Sequence, residues 1–185
     1  MKLFIGRIDS PVGVLVVVTD EQGVLRALDI GDRVVRLTQR LSELYGQHEM
    51  VAGEVPGDIA RSMRAYFEGD LAAIGEVAVA DVGTDLQKRV WGALRKIPAG
   101  TTTSYGELAR SLGFDDPRAA VDIGAANGAN PFAIVVPCHR VIAKNGDLRG
   151  YAWGLHRKAA LLEHEGALPK KVSPVAEESA RLHGF

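Results

Sequence analysis

Residues 134–142 read IVVPCHRVI, and Cys138 at their centre is the only cysteine in the 185-residue chain. A thiol attacks only as thiolate, so a working cysteine needs a base or a positive field beside it. His139 follows directly, but consecutive side chains on a strand point to opposite faces. For His139 to serve Cys138, the strand must end there or a water must bridge the two. Pro137 suits the first requirement, because proline cannot donate to a ladder and marks strand ends and edges. An imidazole acting as a base also needs an orienting acceptor, for which Glu163 and Glu165 are candidates. The bland alternative is a cysteine packed in a core beside a surface histidine, and taken alone these nine residues favour it. Cys138, His139, His156 and His164 lack the paired spacings of metal ligands and there is no second thiol, so no metal site is expected.

Composition limits the purposes this chemistry can serve. Lys and Arg number 22 against 23 Asp and Glu, so no global basic excess advertises a polyanion. The balance is uneven: residues 1–82 hold 8 basic and 13 acidic side chains, whereas residues 83–168 hold 11 and 8. A polyanion could therefore be met on one face of the second half. A single cysteine excludes an internal disulfide and fits a reducing compartment. MKLFIGRIDSPVG has acid and turn residues where a signal peptide needs an apolar core. VGVLVVV, at 12–18, is too short to cross a bilayer. A soluble, cytoplasmic protein without a membrane partner is expected.

These residues must be held by the elements around them. KLFIGRID, GVLVVVTD and VLRALDI are β-branched runs separated by turn residues, which predicts a small antiparallel meander. VVRLTQRLSELYG and DIARSMRAYFEG repeat apolar residues at helical steps. Residues 70–82 are irregular and read as a linker, dividing the chain into an α/β unit (1–82) and a mainly helical unit (83–168). The tail, 169–185, reads as loosely held. In the second unit, Thr84 with Gln87 and Ser104 with Glu107 are capping boxes that open two helices. Asp116-Pro117 opens a third, RAAVDIGAAN, with the cap ahead of the proline. A strand carrying the cysteine, a loop (AKNGDLRGYAWG) and a last helix (HRKAALLEHE, stopped by Gly166) complete the unit. The paired helices resemble a helix-turn-helix, and the Ala/Gly-rich face of the second allows close approach of a helix or a nucleic-acid groove.

NPFAIVVPCHRVI, preceded by SYGELA and followed by GYAWGLHRKAALLEHEG, closely resembles the O6-alkylguanine-DNA alkyltransferases. The resemblance covers nearly the whole chain and is strongest from Thr84 to Gly166. It implies an α/β N-terminal domain (ribonuclease-H-like) followed by a mainly α C-terminal winged helix-turn-helix domain. It implies repair of O6-alkylguanine, and of O4-alkylthymine, in double-stranded DNA by a monomer without cofactor. The base is flipped into a pocket and its alkyl group passes irreversibly to Cys138, once per molecule. His139 would activate the thiol through a water, lowering its pKa, and Glu165 would orient His139. Tyr105 would bond the guanine and assist departure of its oxygen, and Asn130 would tie the recognition helix to the cysteine segment. Tyr151, Ala152 and Trp153 would cover the base. Lys158 would also belong to the substrate site, and the carbonyls of Cys138 and Val141 would read the exocyclic amine. Arg118, Ala119, Ala120, Val121, Asp122, Gly124 and Arg140 would face DNA. One departure stands out: Val121 falls where the family has a base-displacing arginine, and Asp122 where a small neutral residue is usual. Weaker duplex binding is therefore expected. A lesion sensor that binds without transfer and a Cys-His hydrolase are the competing classes.

Overall fold

In a computed structural model, residues 1–31, 34–116 and 118–168 are described. β1 (Lys2–Ile8), β2 (Leu15–Thr19) and β3 (Leu25–Ile30) form the expected antiparallel meander. A fourth strand, β4 (Glu49–Ala52), is an addition to that reading and pairs parallel with β1, giving the order β3-β2-β1-β4. The parallel pairing requires a crossover, which α1 (Val34–Tyr45) supplies. β4 is four residues long and only partly buried, so its sequence carries little strand signal.

β2 is buried along its whole length because both faces of the sheet are covered. Val16 and Val18 point with Leu3 and Ala27 toward Leu37 and Leu41 of α1. Leu15 and Val17 point the other way, into a core shared with α2 (Gly57–Glu68) and with the second half of the chain. That shared core runs from Leu28 and Tyr66 through Trp91 and Phe132 to Cys138.

Residues 70–82 are therefore more than a linker. They hold a single 3-10 turn, Ala73–Glu76, and their Ile74, Val77 and Ala80 are buried. Leu25 of β3 donates to the Ala78 carbonyl at 3.2 Å and accepts from the Ala80 amide at 2.9 Å. Leu28 does the same with Pro131 and Ala133, both at 2.9 Å. The free edge of β3 thus binds the segment that enters the second half and the segment that leads to the cysteine.

In the second half, α3 (Asp85–Leu94) and α4 (Tyr105–Ser111) begin with the two capping boxes expected. α5 (Ala119–Gly128) follows, with the Arg118 amide held by the Asp116 carboxylate at 2.9 Å; the expected Pro117 start lies outside the described residues. α3 is tied to α5 where the Trp91 indole donates to the Ala126 carbonyl at 2.9 Å. β5 (Thr103–Ser104) pairs parallel with β6 (Val141–Ile142), linking the start of α4 to the segment beyond the cysteine. α6 (Leu155–His164) closes the described fold, and the tail at 169–185 lies outside it. No helix among the described residues is long and apolar enough to cross a membrane.

The expected cysteine strand is absent. Residues 133–136 form turns, and Ile134 sits at φ 67° with its side chain fully buried. A β-branched residue tolerates that left-handed backbone only where packing imposes it. Cys138–Arg140 is a single 3-10 turn that leads into β6. The strand rule that would have set Cys138 and His139 on opposite faces does not apply to them.

Candidate active site

Cys138, His139 and Arg140 are all buried on that 3-10 turn. The turn is shaped by Asn130, whose side chain donates to the Val136 carbonyl at 2.8 Å and accepts from the Phe132 amide at 2.9 Å. Asn130 thereby joins the end of α5 to the cysteine segment.

Behind Cys138 lies a carboxylate on which four donors converge. Glu165, just past α6, accepts from His139 Nε2 at 2.9 Å and from the Tyr66 hydroxyl at 2.8 Å. Arg140 adds its Nε at 2.9 Å and its Nη2 at 2.8 Å. Burial opposes the charge on Glu165, but the bonds and fields of His139 and Arg140 outweigh it and hold the carboxyl far below its ordinary range. An ionised carboxylate can only accept, so Nε2 of His139 carries the proton and Nδ1 presents a lone pair. Burial also pushes the imidazole pKa down against the pull of Glu165, keeping His139 neutral. Its Nδ1 is buried and has no hydrogen-bond partner.

The thiol itself departs from expectation. Burial raises the Cys138 pKa, while the Asn130 hydrogen bond and the positive charges of Lys158 and Arg36 act the other way. Before substrate enters, Cys138 is a neutral thiol beside a neutral imidazole.

A cavity of about 290 Å³ opens onto Cys138, walled by Tyr105 of α4, Gly124 and Asn127 of α5, and Tyr151 and Ala152 of the loop before α6. Gly124 faces the edge of the Tyr105 ring, where an added Cβ would touch it at 3.9 Å. Trp153 lies behind the loop, its ring 5.1 Å from that of Tyr151. The first half of the chain fixes it there: its indole donates to Asp29 and the Arg36 guanidinium stacks 4.6 Å over its ring. Among the described residues, the buried side-chain polar atoms without a partner are Asn127 Oδ1, His139 Nδ1 and the Tyr151 hydroxyl, and all three belong to this site.

Two expected contacts fall elsewhere. Lys158 is fully buried and donates to the carbonyls of Val141 at 2.6 Å and Arg149 at 2.9 Å, with its pKa drawn by burial to about 8. It anchors the loop and β6 from behind, occupying one lone pair of the Val141 carbonyl expected to read the base. Arg140, expected to face DNA, is 4% exposed and spent on Glu165 and on the Ile97 carbonyl at 2.6 Å. Of the other residues expected at DNA, Ala119, Ala120 and Gly124 are half-buried. Val121 is 74% exposed and Asp122 is also exposed. Arg118 is exposed with its guanidinium paired to Asp116 at 2.8 Å.

Sequence reasoning missed Tyr66 and Asn127. Tyr66 sits in the apolar stripe of α2 and reads as core, which it also is, so no local signal separates it. Asn127 was legible as a lone polar residue on the small-residue face of α5, three positions from Gly124 and three from Asn130.

Both halves of the chain match known proteins. Residues 3–80 match the family model described as 6-O-methylguanine DNA methyltransferase, ribonuclease-like domain, and residues 85–167 match the DNA binding domain of the same name. A methylated-DNA–protein-cysteine methyltransferase of Salmonella typhimurium is 47% identical over 170 residues, covering 91% of this chain and 98% of the relative. The crystal structure of the Mycobacterium tuberculosis O6-methylguanine methyltransferase superimposes with a TM-score of 0.67 at 37% identity, covering 95% of this chain and 99% of that one. The same organism's protein solved in complex with DNA gives a TM-score of 0.66 at 39% identity, with 90% and 94% covered.

Proposed function

The chain belongs to the 6-O-methylguanine DNA methyltransferase family, and from that premise we propose that it repairs DNA by moving the alkyl group of O6-alkylguanine onto Cys138, once per molecule. The observation that carries this reading is the buried Cys138 at the floor of the cavity, next to a histidine whose Nε2 is locked on an ionised carboxylate and whose Nδ1 is unpartnered.

A flipped base enters between Tyr105 and the 151–152 loop. A water spanning the thiol and His139 Nδ1 takes the thiol proton to the imidazole, and Glu165 stabilises the imidazolium formed. The thiolate attacks the alkyl carbon in line with the O6–carbon bond, forming S–C as C–O breaks. Tyr105 supplies the proton that the departing guanine needs and recovers one from the imidazolium through solvent. The product is a thioether, and the site contains no group aimed at cleaving it.

The exposed Val121 and Asp122 favour a second reading, a family member with weak duplex affinity that senses lesions. Weighing the intact protein after incubation with a short duplex containing O6-methylguanine separates the two. A gain of one methyl per molecule, saturating at one, is expected. Tight binding without mass gain would replace the first reading with the second, and product formed without an adduct would point to a hydrolase.

A further inference from the structure

Asn127 is 4% exposed, its Oδ1 is buried without a hydrogen-bond partner, and it lines the cavity that opens onto Cys138. A polar atom in that condition is costly, and such atoms in a native fold call for an explanation. Of its companions, His139 Nδ1 is the base of the proposed proton relay and Tyr151 lines the cavity with Cys138; Asn127 has no part in that relay.

Its place along α5 identifies what it meets. Gly124, Asn127 and Asn130 follow at three-residue steps, so they succeed one another along one side of the helix and its exit. Gly124 lies against Tyr105, and Asn130 holds the turn that carries Cys138. Asn127 lines the same cavity as Tyr105, the tyrosine that serves the guanine oxygen, and Cys138, the thiol that takes the carbon, so it shares the space the group in transit must cross. A methyl group is too short to engage a wall; a longer alkyl chain is not.

We propose that Asn127 sets the alkyl preference of this site, favouring O6-alkyl groups whose second carbon carries a hydrogen-bonding atom, such as 2-hydroxyethyl, over hydrocarbon chains of the same size. This rests on the alkyl-transfer reading above. A hydroxyl both donates and accepts, so it satisfies the carboxamide in either orientation of the amide. A methyl group in the same place shields the amide from water and offers it nothing.

O6-(2-hydroxyethyl)guanine and O6-propylguanine differ only by hydroxyl for methyl at the chain end. Single-turnover rate constants are measured on duplexes carrying each, with an O6-methylguanine duplex alongside. The native chain should transfer hydroxyethyl about tenfold faster than propyl, a barrier difference of about 1.4 kcal/mol. Asn127→Leu replaces the amide with an apolar group of the same shape and should bring the ratio to about one or below, a loss of the hydrogen-bonding discrimination. Asn127→Ala removes the amide without filling its place and should also bring the ratio near one, which keeps the test alive should the leucine variant fail to fold. A native ratio of one or less, or a ratio that survives in either folded variant, overturns the assignment. Failure of the native chain to transfer methyl overturns the underlying reading instead.

Discussion

The cluster around Glu165 and the outward face of α5 follow opposite rules. Around Glu165 each donor has its acceptor, charge meets charge, and the groups come from α2, the cysteine turn and the end of α6. On α5, Val121 and Asp122 stand in solvent, and the one arginine nearby is already paired with Asp116. The first region is over-determined and the second is nearly free of internal constraint. Changes in the cluster should therefore act on fold and chemistry together, whereas changes at the exposed Val121 and Asp122 should, on the proposed reading, act on duplex binding alone.

Cys138→Ala breaks the comparison most completely. The nucleophile is lost, so methyl transfer should fall to zero by intact mass, while the polar network behind it keeps all its partners. Stability should change by about 1 kcal/mol, the ordinary cost of a single substitution. Measurable methyl transfer by the alanine variant would remove Cys138 from its role.

Glu165→Gln should damage both properties. It leaves the buried Arg140 cation without its counter-charge, which costs about 3–5 kcal/mol in comparable pairs. The folded carboxyl is held below its unfolded pKa of about 4.3, so its contribution is complete above that pH and fades as pH falls toward the folded value. The stability gap between native chain and variant should accordingly narrow on acidification below about pH 4, followed by thermal melts. Transfer should slow by about a hundredfold, an amount within the usual span of a lost general-base element. Without the carboxylate to hold an imidazolium, the thiol must be ionised by the solution, so the rate profile moves to higher pH. Unchanged rate and pH profile would reduce Glu165 to a structural residue.

Tyr66→Phe tests whether the first half of the chain belongs to the chemistry. The ring stays in the core and only the hydroxyl bonded to Glu165 is lost, a hydrogen bond to a charge worth about 1.5–3 kcal/mol. With one donor fewer, the carboxylate pulls harder on the imidazole proton, raising the His139 pKa, so the acid limb of the rate profile should move to higher pH. A melting-temperature drop with an unmoved pH profile would mean Tyr66 is packing alone.

How far these features could be read in advance depended on how local their causes were. The helices of the second half were legible because Thr84–Gln87 and Ser104–Glu107 declare their starts within four residues. β4 was not, because it takes its pairing from β1, more than forty residues away. The cysteine segment looked like a strand from its β-branched residues, yet packing turned Ile134 into the left-handed region and made turns instead. In the site, adjacency suggested His139 for Cys138 and the motif resemblance suggested Glu165, but Arg140 read as a surface cation because its partners lie 25 and 43 residues distant. Tyr66, 99 residues from Glu165, left no trace at all.

The smallest effect is expected on α5, where the family resemblance implies an arginine at the position of Val121 and the structure leaves Val121 exposed. Val121 can press into a base stack but cannot bond an orphaned base or neutralise a phosphate. Asp122 beside it places an anion on the face that the proposed reading turns toward DNA. Arg118 lies about one turn earlier, but Asp116 holds both its guanidinium and its amide, so bringing it to DNA first costs an exposed ion pair. Such exposed pairs are weak, so Arg118 recovers part of what Val121 lacks rather than none of it. The double change Val121→Arg with Asp122→Ala should therefore raise the second-order rate on duplex O6-methylguanine by only about three- to tenfold. The logarithmic salt dependence of duplex binding should steepen by about one unit, as one added phosphate contact requires. O6-benzylguanine as a free base never meets α5 as DNA does, and its rate should stay within about twofold, inside the range of a neutral surface change. Equal gains on both substrates would mean that the change acts through the pocket, and no gain on either would show that Arg118 already does the work of the missing arginine.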